Sequence, residues 1–292
     1  MKKINRNQKL WQSQNFIRRP ELVSDLLKET DIGKDDLVVE IGPGKGVITR
    51  KLAEIARKVV AVEKDPRLVN KLKAEFSESP NVNIVEADFL TWHPSDEPHK
   101  VFSNIPFQAT ADIVAKITTP PNTPEESFLI VQKEAAERFI DSPHKPKTQA
   151  AVLLEPFYET TVVRSIDRRE FEPVPNVDAV LARFRKREKP LIDENKRQSF
   201  RDFVIYGFNQ WQPTIGKSLS KVFSERQLNR MEHDLDLEGL KPSEVTAEKW
   251  RELYKRYEAY VPEDKKRAVR GEEKRLREKQ KTMQKSHRTR RS

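Results

Sequence analysis

Between Asp36 and about Arg187 the chain alternates short apolar runs with stretches whose apolar positions recur near the helical period. LVVEIG (Leu37 to Gly42) is a strand-like run that ends in glycine. It is followed by a helical pattern from Gly46 to Arg57, with Val47, Ile48, Leu52, Ile55 and Ala56 on one face. VVAVEK (Val59 to Lys64) predicts a second strand, and PRLVNKLKAEF (Pro66 to Phe76) a helix with proline at its first position. VNIVEAD (Val82 to Asp88), KVFSNIP and SFLIVQK (Ser127 to Lys133) predict three more strands, with a helix near Ala109 to Ile117. Strands alternating with helices predict an α/β fold: a parallel sheet covered on both faces, with any ligand at the carboxyl ends of its strands. After Lys189 no strand-like run remains. Amphipathic patterns near Lys196 to Asn209, Gly216 to Phe223, Glu225 to Leu235 and Thr246 to Tyr257 predict a small helical domain. Thr246 is an N-cap there, although Lys249 stands where a capping box wants Glu.

Composition changes this picture mainly at the C-terminus. The 292 residues are 36% hydrophobic and 35% charged, enough for one large and one smaller domain. The net charge of +10 points to a polyanionic partner, and its placement says more. From Asp264 to Ser292 there are 13 Lys and Arg against 4 Asp and Glu, a net of +9, so the body is close to neutral. That stretch has too little apolar content for a core of its own and predicts a solvated, disordered basic tail, able to lie on nucleic-acid phosphates. The expected division is 1–188, 189–262 and 263–292. No run is long enough to span a membrane, and the start has no apolar signal region, so a cytoplasmic protein is expected. The absence of cysteine removes disulfides, thiolate metal sites and cysteine nucleophiles, and no metal is expected.

The candidate chemistry clusters at strand ends. EIGPGKG places Gly42, Gly44 and Gly46 directly after the first strand, where backbone can pass close to a ligand. The G-x-G-x-G spacing differs from the dinucleotide G-x-G-x-x-G, which disfavours a pyrophosphate site and with it a nicotinamide dehydrogenase. Glu63 ends the second strand at the distance where a carboxylate accepts from ribose hydroxyls, unless it is a plain surface acid. Asp88 ends the third strand and either accepts from an adenine amino group or caps the next turn. The fourth strand runs into Asn104-Ile105-Pro106-Phe107. The amide oxygen of Asn104 and the carbonyl of Ile105, turned outward by Pro106, make two acceptors for the two N–H groups of a flat exocyclic amine. Phe107 offers a ring for the base to stack on. Acceptors on an adenine N6 favour its pyramidal, attacking form, which stabilises a transition state rather than the ground state.

SQNF (Ser13 to Phe16), EIGPGKG, VVAVEKD, EAD followed by Phe89, NIPF and FEPVPNVDA (Phe171 to Ala179), in this order and spacing, resemble the ribosomal RNA adenine dimethyltransferase family, and in particular its Erm branch. The resemblance implies a Rossmann-like, S-adenosylmethionine-dependent methyltransferase sheet with a small C-terminal helical, RNA-binding domain. It implies cofactor contacts from Asn15, Ile17, Gly42, Glu63, Asp88 and Asn104, and a target adenine held by Asn104, Ile105, Pro106, Phe107 and Phe171. It further implies N6 methylation of an adenine in 23S rRNA, naked or in an immature large subunit, and resistance to macrolide-lincosamide-streptogramin B antibiotics. No DNA and no membrane are expected as partners, and a monomer suffices. The alternatives are the housekeeping branch that methylates 16S rRNA, and a non-enzymatic rRNA-binding assembly or transcription factor. Lys45, inside the glycine turn, has no role legible in the sequence.

Overall fold

The computed structural model describes residues 16–140 and 145–289, and the chain divides into two compact units. The first, residues 16–140 with 158–186, is built on strand β1 (Phe16–Ile17), helix α1 (Pro20–Leu27), β2 (Leu37–Ile41), α2 (Val47–Ile55), β3 (Lys58–Glu63), α3 (Pro66–Glu75), β4 (Val82–Glu86), β5 (Lys100–Asn104), α4 (Thr110–Ile117), β6 (Glu126–Gln132) and α5 (Lys133–Ala136). The second, residues 145–157 with 187–289, begins with α6 (Gln149–Leu154). The chain then returns to the first unit for β7 (Tyr158–Ile166), β8 (Phe171–Glu172) and β9 (Ala179–Lys186). It finishes in the second unit with α7 (Arg197–Phe208), α8 (Ile215–Leu219), α9 (Glu225–Asp234), α10 (Ala247–Tyr260), α11 (Glu263–Lys266) and α12 (Glu272–Thr289).

Seven strands form one sheet in the order β4-β3-β2-β5-β6-β9-β7. The first four pairings are parallel, and the last two, β6 with β9 and β9 with β7, are antiparallel. This is the predicted α/β, Rossmann-like sheet, with two strands added that the hydrophobic pattern did not announce. All five residues of β2 are buried, as expected of a central strand covered on both faces. Leu22, Val23, Leu26 and Leu27 of α1 and Ile48 and Leu52 of α2 share one apolar cluster with Val38, Val59, Phe102, Phe128 and Ile130 of the strands. Val69, Leu72 and Phe76 build a smaller cluster over Ala61 and Ile84. The parallel pairings bring the ends of β2, β3, β4 and β5 to one edge, which aligns the glycine turn, Glu63, Asp88 and Asn104.

The second unit is helical, with an aromatic core. Phe203 meets Tyr257 at 4.8 Å between ring centroids, and Phe208 stacks on Trp250 at 5.1 Å. Trp250 is fully buried and donates its indole N–H to the Pro242 carbonyl at 3.2 Å. Gly207 leaves room for this ring, since a Cβ there would lie 2.5 Å from it. Two expectations are corrected. Residues 145–157 belong with the helical unit, so the first domain is not one uninterrupted stretch to 188. Where composition predicts a disordered tail over 263–292, the described residues form α11 (Glu263–Lys266), turns at 267–271 and α12 (Glu272–Thr289), and 290–292 lie outside the described residues. Val269 is buried, Asp202 accepts from the backbone N–H groups of Gly271 (2.8 Å) and Glu273 (3.0 Å), and Glu273 pairs with Arg201 at 2.7 Å. One apolar side chain and one anchored carboxylate dock the start of α12 on α7, where composition showed only charge. Among the described residues no helix is long and apolar enough to cross a membrane.

Candidate active site

The chain leaves β2 through a turn in which Gly42, Gly44 and Gly46 all have positive φ, at 64°, 58° and 74°. Gly42 donates to the Val62 carbonyl at 2.9 Å, so the turn stays on the sheet edge, and Gly46 opens α2. A Cβ at Gly44 would lie 3.0 Å from the Phe16 ring, whereas one at Gly42 would meet nothing within 4 Å. The space before Gly42 is therefore open to a ligand, and that before Gly44 is filled by an aromatic ring. Phe16, Ile17, Gly42, Pro43, Gly44 and Lys45 line one side of a cleft whose other side is Asn104, Ile105, Pro106 and Phe107. Lys45 places its ammonium over the Phe16 ring, 4.9 Å from the centroid, a cation–π contact that gives this lysine a structural task in the cleft wall.

The far wall is fixed by its backbone. Ser103 donates its hydroxyl to the Ile41 carbonyl at 2.5 Å, tying β5 to β2 beside the glycine turn. Ile105 buries its side chain and donates its N–H to the Ile130 carbonyl at 3.3 Å, so the Asn104–Ile105 peptide is held by the sheet. Pro106 then ends the ladder. Phe107, half-buried, starts a single 3-10 turn whose carbonyl accepts from the Thr110 hydroxyl at 3.0 Å.

The carboxylates fall into three environments. Glu63, buried at the end of β3, accepts from the backbone N–H of Gly44 (3.3 Å), Lys64 (2.9 Å) and Asp65 (3.0 Å). It braces the glycine turn, with part of its acceptor capacity left for a further donor. Asp88 is half-exposed: one oxygen accepts from Leu90 N–H at 3.0 Å, closing the turn after β4, and the other lies 4.0 Å from the Lys64 ammonium. Neither lines the cleft itself. Glu40, within β2, does. Burial pushes its carboxyl up to about 8, against the pull of a 2.6 Å hydrogen bond from the Thr49 hydroxyl and with the push of the Glu63 charge. At neutral pH Glu40 is therefore mostly a neutral acid, the only form affordable at such a position without a cation.

Of the residues expected at the site, Ile17, Gly42, Asn104, Ile105, Pro106 and Phe107 come together around the cleft, and Glu63 and Asp88 stand on the adjoining strand tips. Asn15 lies outside the described residues. Phe171 is a correction: its ring is fully buried in the cluster with Ile17, Leu22 and Phe128, and its backbone pairs with Ile17 across β1 and β8. It anchors the strand that carries Phe16 and Ile17 and presents no face to a base. Glu40 stands out only in the structure, while Phe16, within SQNF, and Lys45 have no role legible in the sequence. The signal for Glu40 was there, a carboxylate inside an otherwise apolar central strand.

The chain matches the ribosomal RNA adenine dimethylase family over residues 5–259. It is 33% identical over 247 residues to an rRNA adenine N-6-methyltransferase of Saccharopolyspora erythraea, covering 83% of this chain and 64% of that one. A protein of the same name from Aeromicrobium erythreum is 34% identical over 217 residues, covering 74% of this chain and 63% of that one. The chain thus spans slightly under two thirds of the length of these two relatives. Among solved structures, that of the 23S rRNA methyltransferase ErmE is similar at a TM-score of 0.75 and 31% identity, covering 84% of this chain and all of that one. With a match over most of its length, and with the glycine turn and NIPF cleft in register on one sheet edge, the chain belongs to the ribosomal RNA adenine dimethylase family.

Proposed function

We infer that this protein transfers methyl groups from S-adenosylmethionine to the N6 amine of an adenine in 23S rRNA, as a cytoplasmic monomer, and so confers macrolide-lincosamide-streptogramin B resistance. The observation that carries the reading is the cleft itself, in which a glycine turn with open space before Gly42 faces the Asn104–Phe107 turn. S-adenosylmethionine supplies an electrophilic methyl on a sulfonium sulfur, so that a C–N bond forms as the C–S bond breaks. The residues fit such a group: backbone at Gly42 can approach it, Ile17 gives an apolar wall, and Glu63 and Asp88 suit a ribose diol and an adenine amine. Across the cleft, the Asn104 amide oxygen and the Ile105 carbonyl accept the two amine hydrogens of the target base. Phe107 stacks on its ring. Holding those hydrogens draws the nitrogen lone pair out of conjugation, and the proton made acidic by methylation leaves to water. The name of the S. erythraea relative supports an rRNA adenine as the substrate, and that of ErmE supports 23S rRNA.

The test is incubation with labelled S-adenosylmethionine and naked 23S or 16S rRNA, followed by mapping of the labelled base. Label on a 23S adenine is expected. Label confined to 16S rRNA would assign the housekeeping reaction, and RNA binding without label would leave a non-enzymatic assembly factor.

A further inference from the structure

Trp211 is 94% exposed, while every other large apolar side chain exposed among the described residues is at most 67% exposed. It sits in the loop between α7 and α8 with φ of +54°, a left-handed conformation unfavourable for a bulky side chain. The loop around it is tied down on both sides. Asn209 donates its side-chain amide to the Ile205 carbonyl at 2.7 Å and to the Gln149 side chain at 3.2 Å, and Gln210 donates to the Tyr206 carbonyl at 3.2 Å. Beyond the tip, Thr214 caps α8 and Ile215 N–H donates to the Leu240 carbonyl at 2.8 Å. A strained backbone between two anchored ends thus holds an indole out into water. Burial does not explain it, for the ring is buried against nothing.

From Phe203 to Ser224 the chain carries no carboxylate, and Lys217 on α8 and Lys221 just beyond it are exposed. Glu232 packs on α8 with its carboxylate against Gly216. Gln212 and Pro213, beside the ring, offer little apolar area for a protein partner, which would need a contiguous patch. An aromatic face with cations and no anions in its own segment suits a nucleic-acid strand, whose bases stack and whose phosphates pair with lysine. We propose that Trp211 is a stacking platform for an unpaired base of the rRNA substrate, with Lys217 and Lys221 as its phosphate contacts. The inference rests on the reading of this chain as an rRNA enzyme and adds to it a binding site in the helical unit. Because every base has a π-face, the site adds affinity with little sequence choice.

The test uses full-length protein and measures both equilibrium binding to transcribed 23S rRNA and methyl transfer from labelled S-adenosylmethionine. Trp211→Gly removes the ring and relieves the backbone together. Its melting temperature is expected at or above wild type, while rRNA affinity falls on the order of 10-fold, the usual scale of one base–aromatic stack. Trp211→Phe is expected to retain most of the affinity. Lys217→Ala with Lys221→Ala is expected to flatten the salt dependence of binding, which Trp211→Gly leaves unchanged. Unchanged rRNA affinity in Trp211→Gly overturns the proposal, as does an affinity loss that follows a drop in melting temperature. Wild-type self-association that vanishes in Trp211→Gly overturns it in favour of a contact between copies. If wild type methylates 23S rRNA while Trp211→Gly binds it normally, this site alone falls. If wild type neither binds nor methylates rRNA, the functional reading falls and takes this site with it.

Discussion

Glu40→Gln isolates the electrostatics of the cleft wall. The Glu40 carboxyl is raised from an ordinary 4.5 to about 8, chiefly by burial. Between those values the folded protein holds a proton that the unfolded chain has released. The stabilisation tied to Glu40 is thus fully present below about pH 4.5 and is lost as pH rises through 8. At about 1.4 kcal/mol per pH unit the full loss is at most about 5 kcal/mol, and any water entering near the ionised group reduces it. Glutamine has nearly the shape of the neutral acid, and its carbonyl can still accept from Thr49. Its extra N–H adds a cost that does not vary with pH. The assay is urea unfolding of wild type and Glu40→Gln at intervals from pH 5 to pH 8.5, read as the difference between the two proteins so that other titrating groups cancel. The variant should gain on wild type steadily across this range, by a few kcal/mol at the alkaline end. Parallel curves would refute the reasoning and mean that Glu40 is ionised in the fold, with a partner cation or water that burial alone does not reveal.

Asn104→Ala should cost on the order of 10²–10³ in methyl transfer with little change in melting temperature, since in the proposed clamp it supplies one of two acceptors for the reacting amine. Wild-type turnover in the folded variant would dismiss the clamp. Phe107→Ala should weaken substrate use far more than Phe107→Tyr, because either ring can stack. Equal losses in both would make Phe107 a packing residue of its 3-10 turn. Gly46→Ala should destabilise by roughly 1–3 kcal/mol, because the backbone has φ of +74° and the new methyl would lie 3.0 Å from Leu72 and 3.2 Å from Phe76. Gly42→Ala, with nothing within 4 Å, should destabilise less yet impair cofactor binding more, and denaturation beside calorimetry would expose the opposite order if the reasoning fails.

What the sequence made legible was what burial writes into local pattern. Strands β2, β3 and β5 lie within the parallel part of the sheet, are largely buried, and read as apolar runs closed by glycine, acid or Asn-Ile-Pro. The antiparallel extension was harder to see. Strand β7 is an edge strand with Val162 exposed at 44%, so its residues do not form a run. Strand β1 exists only because Phe16 and Ile17 pair with Glu172 and Phe171, a contact no local window contains. The same limit explains Phe171. Its motif placed it with the site, but only the packing of β8 under β1 decides that its ring supports the cleft from within.

Charge misled for a related reason. The segment after Pro262 holds nearly all of the protein's positive excess, and average composition says that such a segment cannot bury enough apolar surface to fold. That argument concerns a chain folding alone. Here the fold of α7 already exists, and Asp202 on it accepts the first N–H groups of α12, which a helix start otherwise leaves unsatisfied. Burial alone would raise the Glu273 carboxyl, but the Arg201 guanidinium holds it down at about 2. The pair is ionised at neutral pH, and its desolvation is offset by further hydrogen bonds to the Glu273 carboxylate from the Gln198 amide at 3.0 Å and the Arg277 guanidinium at 2.7 Å. A polar anchor of this kind leaves almost no trace in hydropathy, since its two carboxylates and one arginine count against folding in any window. The positive charges of Lys274, Arg275, Arg277 and Lys279 then extend from a docked helix rather than from a free coil. An rRNA contact made by α12 would therefore act from a set position on the helical unit, with less conformational entropy to lose than a disordered tail would carry.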